Sequence, residues 1–156
     1  MADTNFQLTA LRATRQNILK ILKQFSLEQM NKIPKGFNNN LIWNAGHVVV
    51  TQQLLCYRLG GVAVNVSEEM IAKYKKGSKP VDAVNEEEKD LIISLLNSTV
   101  DGIEADLKSK DFSAYKAYPT SYGVTLNSVD DAIAFNLAHE AMHLGTMISL
   151  RNALNA

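Results

Sequence analysis

Three histidines hold most of the chemical potential of this chain: His47, His139 and His143. The last two stand in the string His139-Glu140-Ala141-Met142-His143. On a helix, positions i and i+4 stack on one face, so both imidazoles can reach one metal ion. Glu140 gives the string the H-E-x-x-H form of zinc proteases. The flanking residues argue against a protease. One class takes its third ligand, a glutamate, from well downstream, and no acidic residue follows His143. Another requires H-E-x-x-H-x-x-G-x-x-H. Here Gly145 comes one place early, and Ser149 stands where the third histidine should be. A third nitrogen must come from upstream, and His47 is the only histidine left.

His47 lies in Leu41-Ile42-Trp43-Asn44-Ala45-Gly46-His47-Val48-Val49-Val50. Counted by threes and fours, its helical face holds Trp43, Val50 and Leu54, an apolar surface that should point into a core. The face of His139 and His143 holds Ala132, Phe135, Asn136, Thr146 and Leu150, also largely core-like. Three inward imidazoles with coordination positions left open make the pattern of a catalytic metal site rather than a closed structural one. A di-iron bundle would need a second E-x-x-H and further glutamates. Asn44, not a glutamate, stands three residues before His47, so the site should hold one ion. The plainer alternative is that these histidines are hydrogen-bonded packing residues.

Glu140 is turned by about 100° from His139 around the helix. Three roles stay open for it: catalytic base, partner behind the metal ligands, or solvated residue. Arg15 interrupts an apolar stripe and is expected to snorkel to the surface. Cys56 reads as a small core residue. The tyrosine-rich stretch reads as packing, with Tyr118 or Tyr122 as candidates to border a pocket. Gly46 and Gly145 are expected to permit close helix approach.

Four long helical stretches must position these groups. The first spans about residues 4–25, with Leu8, Leu11, Ile18, Leu22 and Phe25 at alternating three- and four-residue steps and Asp3 or Thr4 as cap. Residues 26–34 hold one short turn, ended by Pro34. The second helix runs over about 40–59, from the capping asparagines at 38–40 to the stop Gly60-Gly61. The third covers about 86–110, with Asn85 as N-cap and Glu86-Glu87-Glu88 against the positive end of the helix dipole. The fourth covers about 128–154, opened by Ser128 with Asp131 in a capping-box arrangement. Residues 61–84 include a short helical piece at 67–76, and residues 111–127 read as an ordered irregular loop. An all-α four-helix bundle, a single domain over 1–156, is the natural architecture, and the second connection is long enough to cross over.

Composition agrees. Apolar residues make up 46% and charged residues 21% of the 156-residue chain, as in globular proteins. Sixteen Lys+Arg balance sixteen Asp+Glu, so the basic excess of a nucleic-acid binder is missing. One cysteine cannot form an internal disulfide, and no leader or bilayer-spanning run is visible. A soluble cytoplasmic protein with no membrane or nucleic-acid partner is expected. Helix one carries Leu19 and Ile21 beside its core stripe, a width that can serve a second interface or pack beneath the 61–84 or 111–127 connection.

The segment from Asn39 to His47, followed by Thr51-Gln52-Gln53-Leu54, resembles the second helix of the DinB-like superfamily, also called DinB/YfiT-like. The stretch from Thr125-Leu126-Asn127 through His139-Glu140-Ala141-Met142-His143-Leu144-Gly145 resembles its last helix. The resemblance covers nearly the whole chain. It implies a four-helix bundle of up-down-down-up topology, often a homodimer. It also implies one divalent ion, zinc or nickel, on His47, His139 and His143. Relatives include thiol-dependent S-transferases and isomerases that use a low-molecular-weight thiol, and metal-dependent hydrolases. A metal-dependent transferase or hydrolase acting on a small molecule is therefore expected. The rival is a non-catalytic metal-binding or stress-response bundle. Because imidazole must be neutral to ligate, metal affinity is expected to fall on acidification near pH 6.

Overall fold

The computed structural model describes residues 4–156. Asp3, one of the two candidate caps of the first helix, lies outside them. The described residues are all-α apart from one two-stranded ladder. Its elements are α1 (Thr4–Leu22), α2 (Leu27–Asn31), α3 (Leu41–Gln52), α4 (Glu68–Tyr74), α5 (Glu86–Ser109), β1 (Tyr118–Pro119), β2 (Thr125–Leu126) and α6 (Val129–Asn155).

Local chemistry sets most boundaries. Ser26 caps α2 in a reciprocal capping box with Gln29. Asn40, Ser67, Asn85 and Ser128 each accept a backbone N–H at the start of α3, α4, α5 and α6. The second helix does not stay α-helical to Leu59. From Gln53 to Arg58 it widens into a π-helical turn, where Leu59 N–H donates to the Leu54 carbonyl five residues back. Gly61, at φ 72°, then ends it. The expected irregular loop at 111–127 contains the antiparallel pair β1–β2, with Tyr118 opposite Leu126. The four long helices pack in neighbouring pairs: α1 on α6 and α5, and α3 on α6 and α5.

The apolar interior is two clusters. One gathers Ile18, Leu22, Leu41, Val49, Tyr74, Leu96 and Met147. The other gathers Leu8, Leu11, Tyr57, Ile103 and Ile133. Where each long helix passes from one cluster to the other, it buries polar side chains: Arg15 on α1, Gln52 and Gln53 at the end of α3, Thr99 on α5, Asn136 and Glu140 on α6. Leu19 and Ile21 are 6% and 4% exposed and sit in the first cluster with Met70, Ile71 and Val84 of the 61–84 connection. They are core residues, so the wide apolar arc of helix one is consumed inside the chain. No described helix is long and apolar enough to cross a membrane.

Candidate metal centre

His47 comes from the middle of α3, His139 and His143 from one face of α6, and those two helices pack against each other. One ring nitrogen from each histidine lies within 4.8 Å of the others. His47 Nε2 and His139 Nε2 are 3.2 Å apart. All three ring pairs have centroids between 4.6 and 5.1 Å.

Two of the rings are held by their other nitrogen. His47 Nδ1 lies 2.7 Å from the backbone carbonyl of Tyr74, which can only accept, so Nδ1 carries the proton and Nε2 the lone pair. His143 Nδ1 is 2.8 Å from Asn44 Oδ1. The Asn44 amide is oriented by its Nδ2, which donates to Asn39 Oδ1 and to the Asn40 carbonyl. Its oxygen therefore faces His143, whose Nε2 is left with the lone pair. A hydrogen bond from the far nitrogen to a carbonyl is the usual support of a metal-ligating imidazole. His139 has no such support: its Nδ1 is buried without a partner among the described residues.

Tyr74 reaches His47 because position 46 is glycine. An added Cβ there would fall 2.5 Å from Tyr74 Cδ1. Gly46 thus permits a close approach, by α4. Gly145 has nothing within 4 Å of an added Cβ, so the close approach expected there does not exist within the chain. Trp43, one turn before His47, stacks on it with centroids 4.7 Å apart and planes 11° apart.

Burial sets the protonation of the cluster. It lowers the pKa of His47, against the hydrogen bond to Tyr74. Burial takes His139 down to about 3, helped by the neighbouring His143 and His47. Burial, then His47, takes His143 down to about 4. Three neutral imidazoles are what a divalent cation requires. Two ring nitrogens bound at about 2.05 Å to one tetrahedral ion stand about 3.3 Å apart, close to the 3.2 Å between His47 and His139. The donor set fits a metal ion held by three neutral imidazoles.

The cluster opens on a cavity of about 390 Å³. Leu54 and Leu55 of the π-helical turn and Leu59 just past it line it with Phe135 and Met142 of α6, and so do Thr51, Lys76, Tyr118, Thr120 and Ser121. Tyr118 therefore borders the pocket, whereas Tyr122 packs edge-on against Phe135 at 6.0 Å.

Glu140 is not part of this lining. It is fully buried, which removes the solvated reading. Its two oxygens accept from Arg15 Nε at 3.0 Å and Arg15 Nη2 at 2.8 Å. Arg15 Nη1 donates to Thr99 Oγ1 and the Leu96 carbonyl. Arg15 does not snorkel: it is 1% exposed, and its whole fork is spent in the interior. Burial raises the Glu140 carboxyl pKa and the guanidinium opposes the rise. The interruption of the α1 stripe by Arg15 was the only sequence signal for this pair. Cys56 lies nearby, its thiol pushed up to about 12 by burial and then by the charge of Glu140, which suits an inert core residue.

Comparison with known proteins finds a family and solved structures of the same fold. The family model described as the DinB superfamily matches residues 10–147. A crystal structure of a conserved protein from Enterococcus faecalis superimposes with a TM-score of 0.69 at 15% identity, covering 99% of this chain and 98% of that one. At that identity the likeness speaks for the fold alone. No curated protein matches the chain.

Proposed function

We propose that this chain, which belongs to the DinB superfamily, is a mononuclear metalloenzyme in which His47, His139 and His143 hold one zinc or nickel ion. The observation that carries this reading is the convergence of three ring nitrogens within 4.8 Å of one another at the wall of a cavity of about 390 Å³. A closed structural site would not need a chamber beside it, and this favours the enzyme over the non-catalytic bundle.

A bound ion would supply Lewis acidity, polarising an oxygen or sulfur of the substrate. The protein's own part is orientation. Tyr74 and Asn44 fix two imidazoles as neutral donors, and the leucine and phenylalanine walls exclude water. Among the described residues no carboxylate lines the cavity, so the reaction class we propose is one that asks no side-chain base of the protein. That is group transfer to or from a low-molecular-weight thiol, as the family resemblance implies, or hydrolysis. Glu140 we assign to positioning: with Arg15 it fixes the rotation of α6 on α1, and so the direction of His139.

The helices α1, α3, α5 and α6 we read as an up-down-down-up bundle. The crossover that contains α4 joins the neighbours α3 and α5 and is long enough to return the chain parallel. A cytoplasmic location is supported by the unpaired, buried Cys56. A homodimer is proposed through the outer face of α6.

Metal content decides the reading. Untagged protein should contain about one divalent ion per chain. Nickel added to stripped protein should quench the single tryptophan, Trp43, through its stack on His47. His139→Ala should weaken binding by more than about 100-fold. A metal-free preparation that takes up neither zinc nor nickel would end the proposal.

A further inference from the structure

The walls of the cavity beside the histidines divide by chemistry. Leu54, Leu59, Phe135 and Met142 give it a hydrocarbon side. Besides the histidines and Thr51 of α3, the polar contributions come from Lys76, just past the end of α4, and from Tyr118 of β1 with Thr120 and Ser121 in the turn between β1 and β2. Among the described residues, Lys76 is the one formally charged side chain in the lining once the histidines are neutral, and no aspartate or glutamate joins it. Nearby Lys73 is paired with Glu88. Among the described residues, Lys76 has no carboxylate partner, so its charge faces the opening uncompensated.

An uncompensated cation above apolar walls selects its ligand in two ways. The walls reject molecules that are polar along their whole length, because burying unpaired hydroxyls or a second charge is unfavourable. The ammonium repels cations and attracts one anionic group. The volume, at about 30 Å³ per water-sized group, admits a body of roughly ten non-hydrogen atoms.

We propose that the cavity takes a small apolar monoanion, its hydrocarbon body on Leu54, Leu59, Phe135 and Met142 and its anionic head at Lys76. This deepens the metalloenzyme reading and rests on it only in treating the cavity as the substrate chamber. Selection by Lys76 does not require the ion.

Matched eight-carbon probes test it: octanoate, octan-1-ol and octylammonium, titrated by calorimetry into metal-free and zinc-loaded protein. In the metal-free protein octanoate should bind about fivefold tighter than octan-1-ol, with octylammonium weakest. The preference should shrink as salt rises. Lys76→Met should level octanoate with octan-1-ol, and Lys76→Glu should favour octylammonium. Lys75→Met, at an exposed neighbour that does not line the cavity, should leave the wild-type order intact. The proposal is overturned by equal binding of octanoate and octan-1-ol, by a preference that survives Lys76→Met, by its loss in Lys75→Met, or by no binding of any probe at millimolar concentration. A separate zinc titration keeps the two readings apart. The octanoate preference without zinc uptake retains this proposal and removes the metal; zinc uptake without the preference does the reverse.

Discussion

His47 and His143 are each fixed by a carbonyl acceptor, while His139 buries an unpartnered nitrogen. All three are displaced downward in pKa, with His143 near 4 and His139 near 3. Protons therefore compete with a metal at His139 and His143 only well below the ordinary histidine range, and burial disfavours the proton at His47 too. The loss of affinity expected near pH 6 should move toward pH 4. The same shifts make stability depend on pH. In the unfolded chain histidine takes up its proton near 6.5, so between that pH and the folded values the unfolded state binds more protons. Stability is full above about 6.5 and falls as the pH drops toward 4. Urea unfolding of metal-free protein should show a larger loss from pH 7 to 4.5 for the wild type than for His139→Gln; equal losses would contradict the assignment. The Arg15–Glu140 pair is a second residue-scale test. Removing one partner of a buried ion pair costs about 3–5 kcal/mol, whereas apolar replacement of both is often near neutral. Glu140→Gln should destabilise by about that amount, and Arg15→Met with Glu140→Leu should recover most of it. A Glu140→Gln effect below about 1 kcal/mol in the same unfolding assay would show the pair to be idle.

The long helices were legible because their signals are local: a capping side chain, a three–four apolar rhythm, a glycine stop. What was not legible depends on partners far along the chain. Arg15 and Glu140 meet across 125 positions, and no periodicity announces the pairing. The π-helical turn at Gln53–Arg58 keeps a helical rhythm in the sequence, so its extra width is invisible there. The ladder of β1 and β2 has two residues per strand, too few for an alternating pattern to be read. The three histidines were readable as a set because histidine is rare here and two sit at i and i+4. Their supports were not readable, since the Tyr74 carbonyl belongs to another element. That support gives the element-scale prediction. Gly46→Ala drives a methyl into the Tyr74 ring, at 2.5 Å from Cδ1. α4 must shift, and the carbonyl leaves His47 Nδ1. Overpacking of this kind costs about 1–3 kcal/mol, and loss of a hydrogen bond behind a ligand costs about 10–100-fold in metal affinity. Zinc titration of Gly46→Ala should show that loss, while Gly145→Ala, which meets open space, should bind zinc as the wild type does. Unchanged affinity in Gly46→Ala would mean that Tyr74 does not orient His47.

For the molecule as a whole, α6 is the element whose sequence exceeds what the monomer uses. From Ala132 to Leu150 its one formally charged residue is Glu140, and that carboxylate is buried. The outer face is nonetheless exposed: Ala134, Ala138, Ala141, Met142, Gly145, Ile148 and Ser149 all face solvent. Met142 and Ile148 are 54% and 38% accessible. An ordinary solvated helix presents charges on that side, as α5 does with Asp90 and Asp101. Depletion of charge with small and apolar residues on an open face is the composition of an interface core. The small side chains let a second helix come close, and Gly145 leaves the most room. A two-fold axis across this face would set α6 against its own copy, the self-complementary arrangement of the commonest oligomer. Light scattering at tens of micromolar should therefore give twice the chain mass of 17.2 kDa. Ala141→Glu places two carboxylates in that seam, one from each copy, with no cation on the face to meet them. The variant should keep its fold and zinc binding and scatter as a monomer. A wild-type mass near 17.2 kDa would refute the dimer, and an Ala141→Glu protein that stays dimeric would move the interface off α6.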